Sequence, residues 1–142
     1  MARRLTPFET FEHTADVGLV VRGHTLEELF ANAADALVDL MVDPEGLRED
    51  VRMTATVTAA DRPALLVTWL NELLYLLDVH RFLPRRCRIT EFRDTTLIAD
   101  LVGDTIDPNR HAVRRMVKAA TYHGLSLTHL DGVWEARVIV DL

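Results

Sequence analysis

Residues 61–80 read DRPALLVTWLNELLYLLDVH and contain the longest apolar stretch of this 142-residue chain. Asp61 followed closely by a proline is typical of a helix start, because aspartate accepts from free backbone N–H groups and proline has no N–H to satisfy. Leucines occupy positions 65, 66, 70, 73, 74, 76 and 77 and cover most of the helix circumference. Such a helix is buried on more than one side. We therefore expect it at the centre of the domain, with Trp69 and Tyr75 in the core.

A second helix is predicted upstream, within GHTLEELFANAADALVDLMVDPEG at residues 23–46. Thr25 and Glu28 have the spacing of a capping box, in which each side chain accepts from the backbone N–H of the other residue. Pro44 and Gly46 are typical of the end of a helix. Between these signals the apolar residues form one stripe with the 3.6-residue period, at positions 26, 29, 30, 33, 34, 37, 38 and 41.

Strands are predicted on both sides of the apolar helix. Residues 51–59, VRMTATVTA, alternate apolar and polar side chains, as a half-buried strand does. Two further strands are expected at 85–93 and 95–102, joined by a tight turn at Arg93-Asp94.

The C-terminal part of the chain predicts a β-hairpin. Asp131-Gly132 is a favoured two-residue turn, and it leads into the alternating strand WEARVIVDL at 134–142. Residues 111–122 suit either helix or strand, and we favour strand. We therefore predict an α+β fold and a single domain over residues 1–142, with two main helices packed on a largely antiparallel or mixed β-sheet.

The composition is that of a globular protein, with a formal net charge of −6. The charge argues against stable binding of nucleic acid by the chain alone, and no stretch is apolar enough to span a membrane. With one cysteine, Cys87, and no apolar segment in the N-terminal MARRLTPFET, we expect no disulfide or signal peptide and a cytoplasmic location.

The charged residues are unevenly distributed along the chain. Residues 1–50 contain 11 acidic residues and 4 arginines, whereas residues 81–118 contain 9 basic and 5 acidic residues. This pattern is compatible either with two solvated faces or with a docking surface for a partner of mixed charge.

Polar residues of chemical interest stand at both ends of the chain. FEHTADVG at residues 11–18 places His13 and Asp16 directly before an apolar strand. In the last strand, side chains alternate between Trp134, Ala136, Val138, Val140 and Leu142 facing inward and Glu135, Arg137, Ile139 and Asp141 facing outward. Asp141 therefore ends a strand that cannot fray far without exposing core residues.

Five strings, in order, resemble the archease family. They are HTADVG, TLEELFANAADALVDLM, WLNELLYLLD, VKAATYHGL and the C-terminal WEARVIVDL, and they extend over nearly the whole chain. The resemblance implies a small accessory protein, not an enzyme, whose partner is the RNA-splicing ligase that joins 2′,3′-cyclic or 3′-phosphate ends to 5′-hydroxyl ends, notably in tRNA splicing. Archeases promote guanylylation of that ligase and its repeated turnover.

The same resemblance implies a bound divalent cation, calcium or alternatively magnesium, held by Asp16, Asp141 and a backbone or terminal oxygen of Leu142. Carboxylates brought this close together must either take up a proton or recruit a cation, and oxygen ligands favour calcium or magnesium over zinc. His13 is either a structural histidine or a hydrogen-bond donor that orients Asp16. Glu12 and His123 are further candidates for the surroundings of the site.

Two other functions remain open from the sequence. One is a general chaperone-like binding module, with which the uneven charge and small size are compatible. The other is a metal-dependent phosphoesterase in which Asp16, Asp141 and His13 surround the ion. The sequence contains no glycine-rich phosphate-binding loop and no nucleophile beside a base, which disfavours the enzyme.

Overall fold

The computed structural model describes residues 5–13 and 15–142, and of Glu12 and His13 it describes the backbone alone. In chain order the elements are β1 (Phe8–His13), β2 (Asp16–Gly23), α1 (Leu26–Met41), a 3₁₀ turn (Pro44–Gly46), β3 (Val51–Thr58), α2 (Arg62–His80), β4 (Phe82–Phe92), β5 (Thr96–Thr105), β6 (Ala119–Ala120), β7 (Ser126–Leu130) and β8 (Val133–Asp141). None of the helices formed by these described residues has the length and apolar character needed to cross a membrane.

Both predicted helices are present and begin at the predicted caps. The Thr25 hydroxyl accepts from the backbone N–H of Glu28 at 3.1 Å, and the Asp61 carboxylate accepts from that of Ala64 at 2.9 Å. The helices pack against each other, and the Trp69 indole N–H donates to the carbonyl of Phe30 at 2.9 Å. This bond satisfies the polar atom of a large, fully buried ring.

The strands form two antiparallel sheets. In the first, the order is β1-β2-β8-β6, with β7 also paired to β8, and in the second it is β3-β5-β4. Each helix contacts strands of both sheets, so the helices and the inner faces of the sheets share one core. Seven residues expected to be buried together are all 0% exposed there, namely Leu29, Phe30, Leu37, Leu66, Trp69, Leu73 and Val138. The predicted α+β fold of two helices on antiparallel strands is confirmed.

Four details differ from the sequence-based expectation. The strands are divided between two sheets, and β1 is an additional strand that pairs with β2. Tyr75 is 52% exposed and does not lie in the core. The predicted strand at 111–122 mostly lacks regular structure. Within it, β6 pairs with β8, and Val113 forms a single bridge with Val42.

The segment at 106–118, here called the strap, has an irregular backbone because its N–H groups donate hydrogen bonds to several different elements. The Arg114 N–H donates to the carbonyl of Met41 at the end of α1, and the Lys118 N–H donates to the carbonyl of Asp141 in β8. Because these partners belong to different elements, the strap cannot form a continuous ladder with either of them.

Candidate functional site

The strand register brings the two predicted aspartates together. Asp16 opens β2 and Asp141 closes β8, and the two residues are direct antiparallel partners. Side chains of directly paired residues share one face of the sheet, with Cβ atoms about 4.5–5.5 Å apart. Asp16 is half-buried and Asp141 is exposed. Two carboxylates therefore stand side by side at the edge of the protein, 125 positions apart in the sequence.

Asp141 is held by neighbouring strands on both sides. β2 pairs with it through Asp16, and β6 pairs with it through Ala119. The Lys118 N–H donates to the Asp141 carbonyl at 2.8 Å, and the Leu142 side chain packs against the core. The backbone at Asp141 is consequently well restrained. The next residue in the sequence, Leu142, adds a main-chain oxygen beside the paired carboxylates.

A short hairpin positions Asp16. β1 returns into β2 through a turn that contains Ala15 with φ of 60°, and the register places His13 opposite Asp16. Gly18 lies two pairs further along, opposite Phe11, whose ring occupies the space of a side chain. A Cβ atom at Gly18 would be 1.9 Å from the Phe11 ring. The Arg137 guanidinium lies over the same ring, 4.6 Å from its centre, and so the sheet face beside the aspartates is covered.

The other predicted residues have separate outcomes. The side chains of Glu12 and His13 lie outside the described part of the structure, so their roles remain predictions. His123 is exposed, and its N–H donates to the Thr121 hydroxyl at 3.3 Å. Thr121 in turn donates to the carbonyl of Ile139, two residues before Asp141. The chain at His123 therefore runs beside β8 and leads away from Asp141, and a role for His123 at the site remains a prediction.

The donor set fits a hard cation better than a soft one. Among the side chains that the structure describes, which exclude those of Glu12 and His13, no group of three His, Cys, Asp or Glu has the arrangement of a metal site. What these residues do supply is two side-chain carboxylates and the following main-chain oxygen, which are oxygen donors of the kind that calcium and magnesium prefer. A cation on so few protein ligands would retain water in much of its coordination shell.

Cys87 lacks the properties of a nucleophile. Burial, together with the nearby charge of Asp35, raises the pKa of the thiol to about 12. The reactive form of cysteine is the thiolate, so this side chain stays protonated and unreactive near neutral pH.

A buried polar cluster, which the sequence reasoning missed, lies at the start of the strap. Asp104 and His111 are 3% and 4% exposed. Arg110 binds the Asp104 carboxylate through two N–H groups, at 2.8 and 3.0 Å, and the Arg48 backbone N–H donates to it at 2.9 Å. The bidentate Arg110 contact, more than any other, holds the pKa of Asp104 well below its usual value, even though burial acts in the opposite direction.

The protonation of His111 follows from its two partners. The Asp107 backbone N–H donates to Nδ1 at 2.9 Å, so Nδ1 is an acceptor. Nε2 therefore carries the proton of the neutral ring and donates to Asp104 at 3.0 Å. The signal in the sequence is GDTIDPNRH at residues 103–111, which contains the aspartate, arginine and histidine of the cluster.

The sequence and the fold match those of known proteins. A model of the Archease protein family matches residues 8–142. The chain belongs to the archease family. Protein archease of Methanosarcina mazei is 34% identical over 139 residues, covering 95% of each chain, and that of Methanothermobacter thermautotrophicus is 38% identical over 138 residues, covering 95% of this chain and 98% of its own.

Solved structures agree with the family assignment. The solution structure of Methanobacterium thermoautotrophicum protein 1598 has a TM-score of 0.79 and 36% identity, and the match covers 96% of this chain and 99% of that protein. A crystal structure from Thermotoga maritima, described as an archease and possible chaperone, has a TM-score of 0.59 over the full length of both chains. Because the two sequences are 19% identical, this similarity is one of fold alone. The archease fold is thus common to this chain and these structures.

Proposed function

We propose that this archease is an accessory protein that activates an RNA-splicing ligase by promoting its guanylylation and repeated turnover. The direct pairing of Asp16 with Asp141 supports this function most strongly, because it gives the protein an exposed acidic site on a rigid sheet. The family resemblance supplies the partner. In this proposal the ligase performs the chemistry, and the present chain contributes no catalytic residue.

The acidic pair is proposed to bind a divalent cation, calcium or magnesium, with Asp16, Asp141 and an oxygen of Leu142 as protein ligands. Two carboxylates placed opposite each other in a sheet repel, and a cation between them removes that repulsion. Bound there, a cation would supply positive charge and exchangeable water ligands for a phosphate group or a carboxylate of the partner.

The contribution of the chain itself is positioning. Asp141 is bonded to strands on both sides, so the carboxylates can be presented to the ligase without ordering a flexible segment first. Correct positioning of reacting groups can lower a barrier by several kcal/mol, about 7–11 in well-oriented intramolecular reactions. A large acceleration therefore requires no chemistry from this chain.

The test is to mix the purified cognate ligase with labelled GTP and to follow the covalent guanylate adduct. We expect sub-stoichiometric wild-type protein to accelerate adduct formation, because each molecule serves many ligase molecules in turn. Asp16→Asn and Asp141→Asn should remove the acceleration, while in calcium-free buffer they should melt near the wild-type temperature.

Asp35→Asn is the matched control, since it removes an exposed carboxylate on α1 instead. This variant should accelerate as the wild type does. Equal rates with and without the wild-type protein, with a ligase competent for ligation, would overturn the proposed function. Phosphodiester hydrolysis by the protein alone would favour the phosphoesterase.

A chaperone-like binding module is the second candidate. It is supported by large apolar side chains on the surface, among them Met116 at 69% exposure and Tyr75 at 52%. Suppression of aggregation of several unrelated unfolded proteins, with no effect on the ligase, would favour this function.

A further inference from the structure

A groove runs between the C-terminal half of α2 and the strap, and it has a volume of about 780 Å³. Its floor is made of apolar side chains that include Val42, Leu74, Leu83 and Ile106. These floor residues belong to the edge of the hydrophobic core, so the groove opens the core toward the surface.

Large apolar side chains stand exposed along this groove. Tyr75 is 52% exposed, Val113 is 47% exposed and Met116 is 69% exposed, and all three line it. Single exposed apolar residues are ordinary on a protein surface, but a continuous group around a concavity marks a site of interaction.

The strap wall of the groove is built in advance of any binding. Its start is anchored by the Asp104–Arg110–His111 cluster. Further along, the Arg114 backbone N–H donates to the Met41 carbonyl at 2.7 Å, and its guanidinium donates to the Asp39 carbonyl at 2.9 Å. A groove with anchored walls binds a partner without the cost of ordering a loop.

The charges at the groove differ in sign from those of the whole protein. Arg81, Arg115 and Lys118 line it together with one acidic residue, Asp78, although the chain has a net charge of −6. Cationic groups around an apolar surface select partners that carry carboxylates beside apolar side chains.

The groove also adjoins the acidic pair. Lys118 lines one end of it, and the backbone N–H of this residue donates to the Asp141 carbonyl at 2.8 Å. A chain segment lying in the groove would therefore bring the rest of its protein close to Asp16 and Asp141.

We propose that the groove is the docking site for a short segment of the RNA ligase that presents apolar side chains flanked by carboxylates. The proposal rests on the proposed function and extends it. The groove binds the ligase, and the aspartate pair accelerates its guanylylation. The apolar side chains lie against Tyr75, Val113 and Met116, and the carboxylates pair with Arg81 and Lys118.

Binding is measured by calorimetry between the purified ligase and the full chain. Met116→Asp places a negative charge where an acidic segment must lie. It should weaken binding and raise the dissociation constant at least tenfold. The matched control is Leu130→Asp, since Leu130 is 74% exposed at the end of β7 and does not line the groove. This control should change the dissociation constant less than twofold.

Charge is tested separately with Arg81→Glu, which should weaken binding and reduce its sensitivity to salt. Arg52→Glu, at an exposed position of β3, is the control with the same change of charge. It should bind as the wild type does.

Combining binding with guanylylation distinguishes docking from action. Met116→Asp should again accelerate guanylylation when its concentration is well above its raised dissociation constant. Asp141→Asn should bind the ligase as the wild type does but should not accelerate guanylylation. If the wild type accelerates and Met116→Asp binds equally well, the groove proposal is wrong and the proposed function stands. If the wild type neither binds nor accelerates, the proposed function is wrong and the groove proposal with it.

The chemistry of the occupant is tested by cross-linking. A photoreactive phenylalanine derivative in place of Met116 should cross-link to a ligase peptide that contains apolar residues together with Asp or Glu. A basic or wholly polar peptide would overturn the proposal.

Discussion

At the scale of single residues, Asp104 organises a segment that has little regular structure. Its carboxylate accepts from Arg110, from His111 and from the backbone of Arg48, and so ties the strap to β5 and to the loop after the 3₁₀ turn. A buried carboxylate with this many donors is stabilised only as long as it is charged.

We expect Asp104→Asn to lower the free energy of unfolding by about 1.5–3 kcal/mol, the usual contribution of hydrogen bonds to a charged group. The pKa of Asp104 is held below that of an aspartate in the unfolded chain, so its stabilisation is complete above the unfolded value of about 3.9. The stabilisation is lost as pH falls from there toward the folded pKa. Denaturant melts at several pH values should show the wild type and the variant converging below about pH 4.

The control at this scale is Asp94→Asn, which breaks an exposed ion pair with Arg62. Its effect should stay within about 1 kcal/mol at neutral pH, because exposed pairs contribute little. A difference for Asp104→Asn that persists unchanged to pH 2 would contradict the assigned charge.

At the scale of elements, α2 is the centre of the core. Leu73 is 0% exposed, and replacing it by alanine should lower the free energy of unfolding by about 2–5 kcal/mol, because the cavity that remains cannot collapse fully. Val79→Ala, on the same helix at 52% exposure, should change it by less than about 0.5 kcal/mol. Urea melts measure both, and equal effects of the two substitutions would show that α2 is not buried in this orientation.

At the scale of the whole molecule, the pairing of β2 with β8 joins the two ends of the chain. If the aspartate pair binds calcium in the folded state alone, mass action stabilises that state by about 2.7 kcal/mol at a hundredfold excess over the dissociation constant. We therefore expect calcium to raise the melting temperature of the wild type. Asp16→Asn and Asp141→Asn should each abolish the shift, and calorimetric scans with and without calcium measure it.

Asp35→Asn should retain the full calcium shift, because it lies on α1, away from the paired strand ends. Undiminished calcium binding by Asp16→Asn would remove this residue from the site.

The elements that the sequence determined by itself are those whose causes are local. Thr25 and Asp61 cap the helices through residues three positions away, and the apolar periods decide which helix faces are buried. The final hairpin is likewise local, since Asp131 and Gly132 adopt the positive φ values of 54° and 75° that this type of turn requires.

Tertiary structure decided what depends on distant partners. The division into two sheets, the irregular strap and the exposure of Tyr75 follow from which strands pair and which surfaces they cover. The meeting of Asp16 with Asp141 was implied by family resemblance and not by spacing, and the Asp104 cluster and the groove were not predicted at all. The physical reason is common to all of them: contacts between residues far apart in sequence form only when the whole chain has packed, and no local pattern specifies them.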